Sequence, residues 1–390
     1  MYLIVGAGLS GVVIAERIAT LLKQKVVIIE KRGHIAGNCY DYKDNDTGIL
    51  MNEYGAHLFH TNSQFVWNYI QQFAEWVPWH HKVLSYIDNK FVPVPVNLTT
   101  ITELCNKYFS NNDELKAYLK SIQIQPEDNQ PKDSEEMALS RVGKELYEKM
   151  FKPYTYKQWE KDPSELDPLV LARIPIRSDA DPRYFTDKYQ ALPKEGYTKF
   201  VEKMLDNPLI TVHLNTDFEE YKKANDLSAF KYIIYTGPID EYFKEAGLDK
   251  LEYRSIHFTK KVIQSSQNES GPQMQYFQPN SVVNYPELKY PFTRIVEYKH
   301  FLNQEFSKGT VIVYEETKNE GESYYPVPTD KNKELYEKYK ALAEEEEKTK
   351  NVLFVGRLAN YKYFNMDEAI LNALFIFHTK LYPKSITLTF

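Results

Sequence analysis

Residues 2–30 decide the fold and read YLIVGAGLSGVVIAERIATLLKQKVVIIE. They begin with a short apolar run, YLIV, which meets glycine at once, as a buried strand does where it ends. Residues 10–23 then show helical periodicity, and VVIIE at 26–30 is a second buried-strand pattern. This order predicts a β-α-β unit, the repeating element of α/β sheets.

The segment GAGLSG, residues 6–11, lies between the first strand and the helix and has the spacing GxGxxG. In a dinucleotide fingerprint, Gly6 permits the tight turn, Gly8 lets the backbone approach a pyrophosphate, and Gly11 lets the helix lie close to the strand. Glu30 ends the second strand about twenty residues later, where an acidic side chain accepts hydrogen bonds from a ribose. The pattern favours dinucleotide binding over a tight turn in another α/β sheet, and it leaves FAD and NAD both open.

A second flexible loop follows Glu30 and reads KRGHIAGNCYD, residues 31–41. Near the other end of the chain, FVGRLANYKYFNMDEAI (354–370) contains a strand that ends in glycine and a helix that begins near Met366. This arrangement resembles the long-fingerprint flavoproteins, in which the adenosine end of the flavin binds first and the chain returns to close the site. The resemblance favours FAD over NAD.

The composition excludes several classes of function. The 390 residues predict two or three domains, and the formal net charge of −6 argues against a general nucleic-acid surface. The cysteines, Cys39 and Cys105, provide neither a disulfide framework nor a cysteine metal site. Glycines and a helix with Glu16 and Arg17 interrupt the first apolar run, so no signal peptide is expected. No run of about 18 apolar residues predicts membrane insertion, and the expected location is cytoplasmic.

Periodicity divides the rest of the chain into a helical and a strand-rich part. Apolar spacing of three and four predicts helices over 64–76, 99–109, 112–120 and 134–151. The charged segment 331–349 is also predicted to be helical, with a solvated face, and 366–382 is predicted as a long final helix. Short runs between about 210 and 320, beginning with ITVHL, predict antiparallel strands, although KYIIYTG (231–237) fits the nucleotide-binding sheet as well. The stretch FKPYTYKQWEKDPSEL (151–166) matches neither a helical stripe nor a strand alternation.

The predicted fold class is α/β, and the chain is expected to form three parts. A discontinuous, Rossmann-like FAD-binding domain uses residues 1–85, 190–240 and 340–390. A helical insertion domain covers 86–180 and carries a mobile substrate lid at about 160–178. An antiparallel β-sheet domain, 241–330, forms the floor of a substrate site in the cleft between the parts.

Several separate stretches agree, in order and along nearly the whole chain, with one family. They are GAHLFHT (55–61), PVPVNL (93–98), GKELYEKMFKPYTYKQW (143–159), LARIPIR (171–177), YPFTRI (290–295), YYPV (324–327) and FVGRLANYKYFNMD (354–367). On these segments the chain resembles the UDP-galactopyranose mutases. YTYKQW and GRLANYKYFNMD are specific to that family and are not shared by flavoproteins in general.

The resemblance implies an isomerase that interconverts UDP-galactopyranose and UDP-galactofuranose without net redox change. N5 of the reduced FAD attacks the anomeric carbon, UDP leaves, and the sugar opens as a flavin–iminium before it closes again. NADPH, NADH or another external reductant is expected to reduce the flavin. The resemblance also implies UDP as a ligand, no nucleic acid, a homodimer, and a role in galactofuranose supply for cell-surface polysaccharide.

The site residues follow from the resemblance as well. The expected catalytic residues are Arg173, Arg294 and His60, of which the two arginines neutralise the diphosphate. The expected substrate-binding residues are Phe151, Tyr154, Thr155, Trp159, Asn97, Tyr184, Asn284, Glu316, Tyr325, Arg357, Tyr363 and Asn365. The expected cofactor-binding residues are Gly6, Gly8, Gly11, Ser10, Glu30, Lys31, Gly37, Asn38, His57, Leu58, Gly356, Arg357 and Met366. Tyr154 is expected to stack on the uracil with Phe151 beside it, and Trp159 to lie nearer the sugar.

Two positions depart from the family pattern. Asn365 stands where other members carry Asp, which removes a negative charge, and Pro153 replaces a more usual Gly before Tyr154. Without the resemblance, His57 and His60 would be interpreted as structural histidines. They have no third plausible ligand beside them, so no metal site is expected.

Two other classes of protein remain open. A FAD-dependent oxidoreductase of the amine-oxidase-like type would share the fingerprint and the C-terminal return, but it would not need two arginines at a diphosphate. A binding protein related to the guanine-nucleotide dissociation inhibitors would share the fold and bind no flavin. The residues do not choose between galactose and N-acetylgalactosamine, and they do not identify the physiological reductant.

Overall fold

The computed structural model describes residues 1–264, 267–268, 271–272, 276–304 and 309–382. The strands are β1 Tyr2–Val5, β2 Val26–Ile29, β3 Asp41–Lys43, β4 Leu50–Asn52, β5 Phe59–Thr61, β6 Trp76–Pro78, β7 Leu84–Ile87, β8 Lys90–Pro93, β9 Tyr189–Pro193, β10 Ile210–His213, β11 Tyr232–Tyr235, β12 Tyr253–Gln264, β13 Gln267–Asn268, β14 Gly271–Pro272, β15 Val282–Asn284, β16 Arg294–Glu297, β17 Gly309–Lys318, β18 Tyr325–Pro326 and β19 Val352–Phe354. The helices are α1 Leu9–Arg17, α2 Gln64–Ile70, α3 Leu98–Cys105, α4 Asn112–Ile122, α5 Ser134–Leu146, α6 Lys152–Trp159, α7 Leu169–Ala172, α8 Tyr197–Leu205, α9 Phe218–Ala224, α10 Ile239–Tyr242, α11 Asp330–Lys350 and α12 Met366–Ile376. No helix in these described ranges is long and apolar enough to cross a membrane.

The first sheet is parallel, and its strand order is β10-β2-β1-β11-β19. Leu3 and Ile4 on the central strand β1 are fully buried, as expected where helices cover both faces of a parallel sheet. Ile4 packs with residues of α1, α8 and α12 on one face. Leu3 packs with Phe218 of α9 on the other. The β-α-β unit predicted from residues 2–30 and the α/β fold class are therefore confirmed.

Two segments in the strand-rich part of the sequence belong to this parallel sheet. β11 lies beside β1, which decides the alternative left open for KYIIYTG. The expectation of an antiparallel strand for ITVHL is wrong, because β10 pairs in parallel with β2. β10 lies at the sheet edge and exposes alternate residues, so its sequence alternates as an antiparallel strand does.

The second sheet has the order β18-β12-β17-β16-β15-β7-β8 and is antiparallel except where β15 meets β7. It extends beyond the predicted range 241–330, because β7 and β8 pair onto it from an earlier part of the chain. β8 ends at Pro93 on the sheet edge, where a residue without an N–H group is tolerated. Part of the QYFQP segment, Gln275, lies outside the described residues, and 276–279 form no strand.

The helical part packs around an apolar core that includes Ile101, Leu115 and Leu146. Helix α5 bends at Gly143, which adopts φ 71°. A Cβ atom at Gly143 would lie 2.3 Å from the carbonyl oxygen of Ile122, so glycine is needed where α4 and α5 approach closely. The bend lies inside the single helix predicted over 134–151.

The aromatic stretch that matched no pattern is helical. A turn of π-helix, Tyr147–Phe151, runs directly into α6. Pro153 lies in the first turn of α6, where a missing N–H group costs little. Phe151 packs in the helical core and Trp159 packs with Leu166 and Val327 on the other side. Because α6 is packed on more than one side, its apolar residues do not form a single stripe.

Candidate active site

The glycine segment forms a tight turn at the carboxyl end of β1. Gly6 adopts φ 105°, and a Cβ atom there would lie 2.2 Å from Oγ1 of Thr236. A Cβ atom on Gly11 would lie 2.2 Å from the carbonyl oxygen of Gly6. Gly8 is the N-cap residue of α1, and no side chain caps this helix end. The first N–H groups of α1 are therefore left for a ligand, the arrangement that binds phosphate.

Glu30 lies beside this turn. Its Oε2 accepts a hydrogen bond from Ala7 N at 2.8 Å, and its Oε1 accepts one from Arg32 N at 2.9 Å. An ionised carboxylate has about four acceptor positions, so Glu30 retains capacity for a ribose hydroxyl. Arg32 also donates from Nη1 to Asn38 Oδ1 at 3.0 Å. The predicted cofactor residue Lys31 is exposed, and its neighbour Arg32 makes these contacts instead.

The second loop and the C-terminal return segment both contact the glycine turn. A Cβ atom on Gly37 would lie 2.8 Å from Cα of Gly8, so the two loops touch. A Cβ atom on Gly356 would lie 2.7 Å from Oγ of Ser10. Sγ of Cys39 lies 3.7 Å from Sδ of Met366, the first residue of α12. Segments far apart in sequence thus meet at one edge of the parallel sheet.

A cluster of arginines and tyrosines lies beside the return segment. The rings of Tyr325 and Tyr363 stack with centroids 5.1 Å apart and planes 14° apart. Arg173, exposed just after α7, places its guanidinium carbon 4.2 Å from the centre of the Tyr363 ring. The guanidinium carbon of Arg357 lies 5.3 Å from the centre of each of the two rings. Cation–π contacts of this kind hold arginines in place while leaving guanidinium N–H groups free to bind an anion.

Arg294 enters the same region from the second sheet. Its Nε donates to Oε2 of the buried Glu315 at 2.6 Å. Asn284 is the register partner of Arg294 on β15. Burial opposes the charge on Arg294, but Glu315 raises its pKa above the usual value. Arg294 is therefore positively charged at every physiological pH.

The phenols near Arg294 are neutral. Burial raises the pKa of Tyr154 to about 12, although the charge of Arg294 opposes the shift. Burial, with Tyr363 nearby, also raises the pKa of Tyr184, against the charges of Arg294 and Arg173. A neutral phenol donates a hydrogen bond to an anionic oxygen without adding charge. The site thus combines fixed positive charge with neutral donors.

Three histidines lie in this region. Nδ1 of His57 lies 2.7 Å from the carbonyl oxygen of Gly55, and burial lowers the pKa of His57 to about 4. Nδ1 of His60 lies 3.1 Å from Oδ2 of Asp187, and its ring stacks on Phe185 at 3.8 Å. His81 is buried and, within the described residues, its Nδ1 has no hydrogen-bond partner. Burial, with Arg294 and His60 nearby, lowers the pKa of His81 to about 3.

Sequence reasoning missed His81 and Glu315. His81 precedes β7 in a pair of histidines with no periodic pattern, so the sequence gives no sign of its position in the site. A weak signal for Glu315 did exist. It stands in the alternating strand TVIVYEET, whose two adjacent glutamates must point to opposite faces of the sheet.

Two of the predicted substrate residues do not join the cluster. Glu316 lies on the opposite face of β17 from Glu315 and pairs with Lys318 at 2.6 Å. Asn97 is fully buried as the N-cap of α3, where Oδ1 accepts from Thr100 N at 3.0 Å and Nδ2 donates to Asp181 O at 3.1 Å. In the structure it is therefore Glu315, and not Glu316, that contacts Arg294 in the cluster. Asn97 caps the N-terminus of α3.

The remaining predicted residues lie on different elements. Trp159 packs behind it, with its ring centroid 6.5 Å from that of Tyr363. Thr155 is buried one residue after Tyr154 on α6. Leu58 is half-buried against the core of the second sheet. Asn365 caps α12 in a box with Glu368, so an amide is accommodated there. No group of three or more His, Cys, Asp or Glu side chains in the described ranges is arranged to hold a metal ion.

The fold and the site define a Rossmann-like, dinucleotide-binding α/β protein whose arginine–tyrosine cluster suits an anionic ligand. A sequence profile described as an NAD(P)-binding Rossmann-like domain matches residues 4–73. A second profile, described as UDP-galactopyranose mutase, matches residues 149–363. The chain belongs to the UDP-galactopyranose mutase family, and it is therefore an isomerase.

Three relatives are similar to this protein in sequence over most of its chain. A probable UDP-galactopyranose mutase of Klebsiella pneumoniae is 38% identical over 375 residues, which cover 95% of this chain and 92% of the relative. A UDP-galactopyranose mutase of Mycoplasma genitalium is 36% identical over 392 residues, with coverage of 95% and 92%. A dTDP-fucopyranose mutase of Escherichia coli is 34% identical over 384 residues, with coverage of 95% and 96%.

Solved structures show the same fold. The crystal structure of a reduced UDP-galactopyranose mutase superposes with a TM-score of 0.73 at 15% identity and covers 97% of this chain and 93% of that chain. A putative protoporphyrinogen oxidase from Exiguobacterium superposes with a TM-score of 0.66 at 11% identity and covers 97% of both chains. At these identities the likeness concerns the fold alone.

Proposed function

We propose that this protein interconverts UDP-galactopyranose and UDP-galactofuranose. The observation that carries the proposal is the pair Arg173 and Arg294, which reach one tyrosine-lined region from different parts of the chain. Two fixed guanidinium groups match the charge of a diphosphate, because each planar fork binds phosphate oxygens in pairs. The family of the chain supports this choice of substrate.

FAD is the cofactor that we propose for the parallel-sheet edge, and the residues there fit it. The uncapped N-terminus of α1 suits its pyrophosphate, and a Cβ atom at Gly8 would have no atom other than Cα of Gly37 within 4 Å, at 3.8 Å. Glu30 would hold the ribose, and Gly356 and Met366 would border the flavin from the return segment. When bound and reduced by NAD(P)H or another reductant, the flavin supplies the nucleophile for the anomeric carbon.

The chain's own residues bind and orient the substrate. Arg173 and Arg294 neutralise the diphosphate, and they stabilise the negative charge that grows on UDP as it leaves. Glu315 holds the guanidinium of Arg294 in place, so little reorganisation is needed during the reaction. Tyr184 and Tyr325 donate phenol hydrogen bonds to phosphate oxygens. Tyr154 stacks on the uracil.

The histidines act at the flavin side. His57 is neutral at pH 7, since burial lowers its pKa to about 4, and it places no positive charge beside the cofactor. His60 is oriented by Asp187 and by the Phe185 ring, and we assign it a catalytic role there. Asn284, opposite Arg294 in the sheet, would contact the substrate from β15.

The segment 160–178 is proposed as a substrate lid. It carries α7 and Arg173, and Leu169 on α7 is exposed to solvent. The predicted three-domain division, a homodimer and a cytoplasmic location complete the proposal on the strength of the family resemblance. Light scattering of the purified protein measures the oligomeric state directly, and a monomer would contradict the dimer.

The testing experiment is an assay on purified protein with UDP-galactofuranose, with and without dithionite. We expect a flavin spectrum, and UDP-galactopyranose formed only in the reduced sample, as detected by chromatography. Conversion without reduction would contradict the flavin mechanism. Folded protein that takes up no added FAD would overturn the cofactor assignment and favour the flavin-free binding class.

A second candidate substrate deserves the same assay. The relative described as a dTDP-fucopyranose mutase covers 95% of this chain, which motivates testing a dTDP-sugar beside the UDP-sugar. Faster conversion of the dTDP-sugar would replace the proposed substrate while keeping the reaction. Oxygen consumption coupled to substrate oxidation would instead indicate the oxidoreductase class.

A further inference from the structure

The side chain of Lys157 donates hydrogen bonds to four backbone carbonyl groups. It lies on α6, and its Nζ donates to the carbonyl oxygens of Tyr285, Glu287, Tyr290 and Phe292 at 2.5, 3.3, 3.0 and 2.6 Å. An ammonium group has three N–H donors, so all of them are used or shared within this one set of acceptors. No carboxylate in the described ranges forms an ion pair with it.

The four carbonyls belong to the loop 285–292, which joins β15 to β16. The loop reads YPELKYPF, and its prolines, Pro286 and Pro291, have no N–H group to donate. Few internal hydrogen bonds hold its shape, chiefly Tyr285 N to Thr293 O at 2.8 Å and Tyr290 N to Glu287 O at 3.2 Å. A cation at the centre of the loop therefore determines how its carbonyls converge.

Both ends of this loop lead directly to the candidate site. Asn284 ends β15 immediately before it, Arg294 begins β16 just after it, and the two are register partners. On the other side, Tyr154 precedes Lys157 by three positions on α6, so the two share one face of the helix. The backbone oxygen of Lys157 also accepts a hydrogen bond from Thr317 on β17.

We propose that Lys157 is a positioning residue, whose ammonium group fixes the distance between Tyr154 on α6 and Arg294 on the β15–β16 hairpin. The inference rests on the proposed function, because it assigns these two residues to the uracil and to the diphosphate of one ligand. Lys157 touches neither the substrate nor the flavin in this assignment. It acts by holding the uracil-binding residue Tyr154 and the diphosphate-binding residue Arg294 at a fixed distance from each other.

The position of Lys157 makes this contact sensitive to pH. Burial lowers the pKa of Lys157 to about 8, and Glu287 opposes the shift. The other titratable residues on the loop are Lys289, paired with Glu287 at 3.0 Å, and Tyr285 and Tyr290, whose backbone carbonyls accept hydrogen bonds from Nζ of Lys157. Burial raises the pKa of Tyr285 to about 12, so that phenol stays neutral where the amine titrates. Above about pH 8 the ammonium group of Lys157 loses its proton. It then has one N–H donor fewer and no positive charge with which to attract the four carbonyl oxygens of the loop.

The test measures the dissociation constant of UDP, by calorimetry, for the flavin-loaded wild type and for Lys157→Met. At pH 7 we expect UDP binding to be about tenfold weaker in the variant, the size of one charge-assisted hydrogen bond. Between pH 7 and 8.5, below the range in which the uracil N3–H of UDP ionises, UDP binding to the wild type should weaken several-fold while binding to Lys157→Met stays constant. Lys157→Arg, which keeps the charge, should recover part of the affinity.

The matched control is Lys152→Met on the same helix, whose Nζ lies 3.8 Å from Asp162 and 4.0 Å from Glu135 at the surface. It should bind UDP as the wild type does, with the same pH profile. Equal affinity for UDP in Lys157→Met and the wild type at pH 7, or the same pH dependence in both, would overturn this inference alone. If Lys157→Met fails to fold, Lys157→Gln, which keeps an N–H donor without the charge, is measured in its place against the same two outcomes. Wild-type protein that binds no UDP would overturn the proposed function and this inference with it.

Discussion

Arg294 and Glu315 are register partners on adjacent strands and are joined by a 2.6 Å hydrogen bond from Nε to Oε2. The carboxylate is almost completely buried, whereas the guanidinium is partly open. One edge of the guanidinium is therefore fixed by the protein, and the remaining N–H groups are left for a ligand. The pair converts a flexible side chain into a fixed anion-binding group.

Glu315→Gln should lower the turnover number, because a neutral amide holds Arg294 less firmly than a carboxylate. The loss should be tenfold or more, since hydrogen bonds to charged groups contribute about 1.5–3 kcal/mol. The control is Glu316→Gln, the next residue on the opposite face, which should keep near-normal turnover. Steady-state rates with dithionite-reduced enzyme measure both. A larger loss in Glu316→Gln would show that the wrong face of β17 was assigned to the site.

Arg173→Ala and Arg294→Ala should each lose turnover by about a hundredfold or more, as the removal of one transition-state donor does elsewhere. Each removes one of the two charges proposed to stabilise UDP as it leaves. Arg183→Ala is the matched control, because Arg183 is exposed and bonded to Asp181. The measurement is turnover at saturating UDP-galactofuranose. Near-normal turnover in Arg173→Ala would remove that residue from the mechanism.

Tyr154→Ala should weaken UDP binding by about 1–3 kcal/mol, the usual contribution of one stacked base. Tyr154→Phe keeps the ring and should bind UDP nearly as the wild type does. Tyr156→Ala serves as the control on the same helix, because that ring is 49% exposed. Calorimetric titration with UDP distinguishes the three. An unchanged dissociation constant in Tyr154→Ala would mean that another ring stacks on the base.

Gly8→Ala and Gly11→Ala should fail in different ways. A Cβ atom on Gly11 would lie 2.2 Å from the carbonyl oxygen of Gly6, so Gly11→Ala should lower the melting temperature of the apoprotein by several degrees. At Gly8 the nearest protein atom to a Cβ would be 3.8 Å away, so the apoprotein should keep its stability. Gly8→Ala should nevertheless lose FAD, because the methyl group occupies the place of the pyrophosphate.

Thermal unfolding of the apoproteins and the ratio of flavin to protein absorbance after loading measure these two effects. Full flavin loading in Gly8→Ala would show that the pyrophosphate of FAD does not bind beside Gly8. An apoprotein melting temperature unchanged in Gly11→Ala would contradict the close contact between α1 and the glycine turn.

The nucleotide edge was predictable because its signal is local. Gly6, Gly8 and Gly11 lie within one β-α turn, where Gly6 and Gly11 have no space for a Cβ atom, and their spacing is visible in the sequence. The arginine–tyrosine cluster was not predictable in this way, since Arg173, Arg294 and Tyr363 come from three distant segments of the sequence. Periodicity does not bring such segments together, and only the order of many family-specific stretches indicated that these residues meet.

The missed features have a common physical cause. The helix α6 was not recognised because partners pack on several of its sides, so Phe151, Tyr154 and Trp159 follow no single stripe. Glu315 and Glu316 differ by one position, and only the pairing of β17 with β16 decides which of them faces Arg294. The contacts of Lys157 are with backbone carbonyls, which leave no trace in a sequence.

The strand order β10-β2-β1-β11-β19 has a consequence for how the protein is made. The first strand synthesised, β1, lies at the centre of the sheet. Its neighbour β11 pairs on the other side with β19, Val352–Phe354, which is synthesised only near the end of the chain. Until then β11 presents an unpaired edge, and Gly356 is not yet beside Ser10. The glycine turn and the return segment therefore meet only late in biosynthesis, and a chain that ends before residue 352 leaves the edge of β11 open to aggregation.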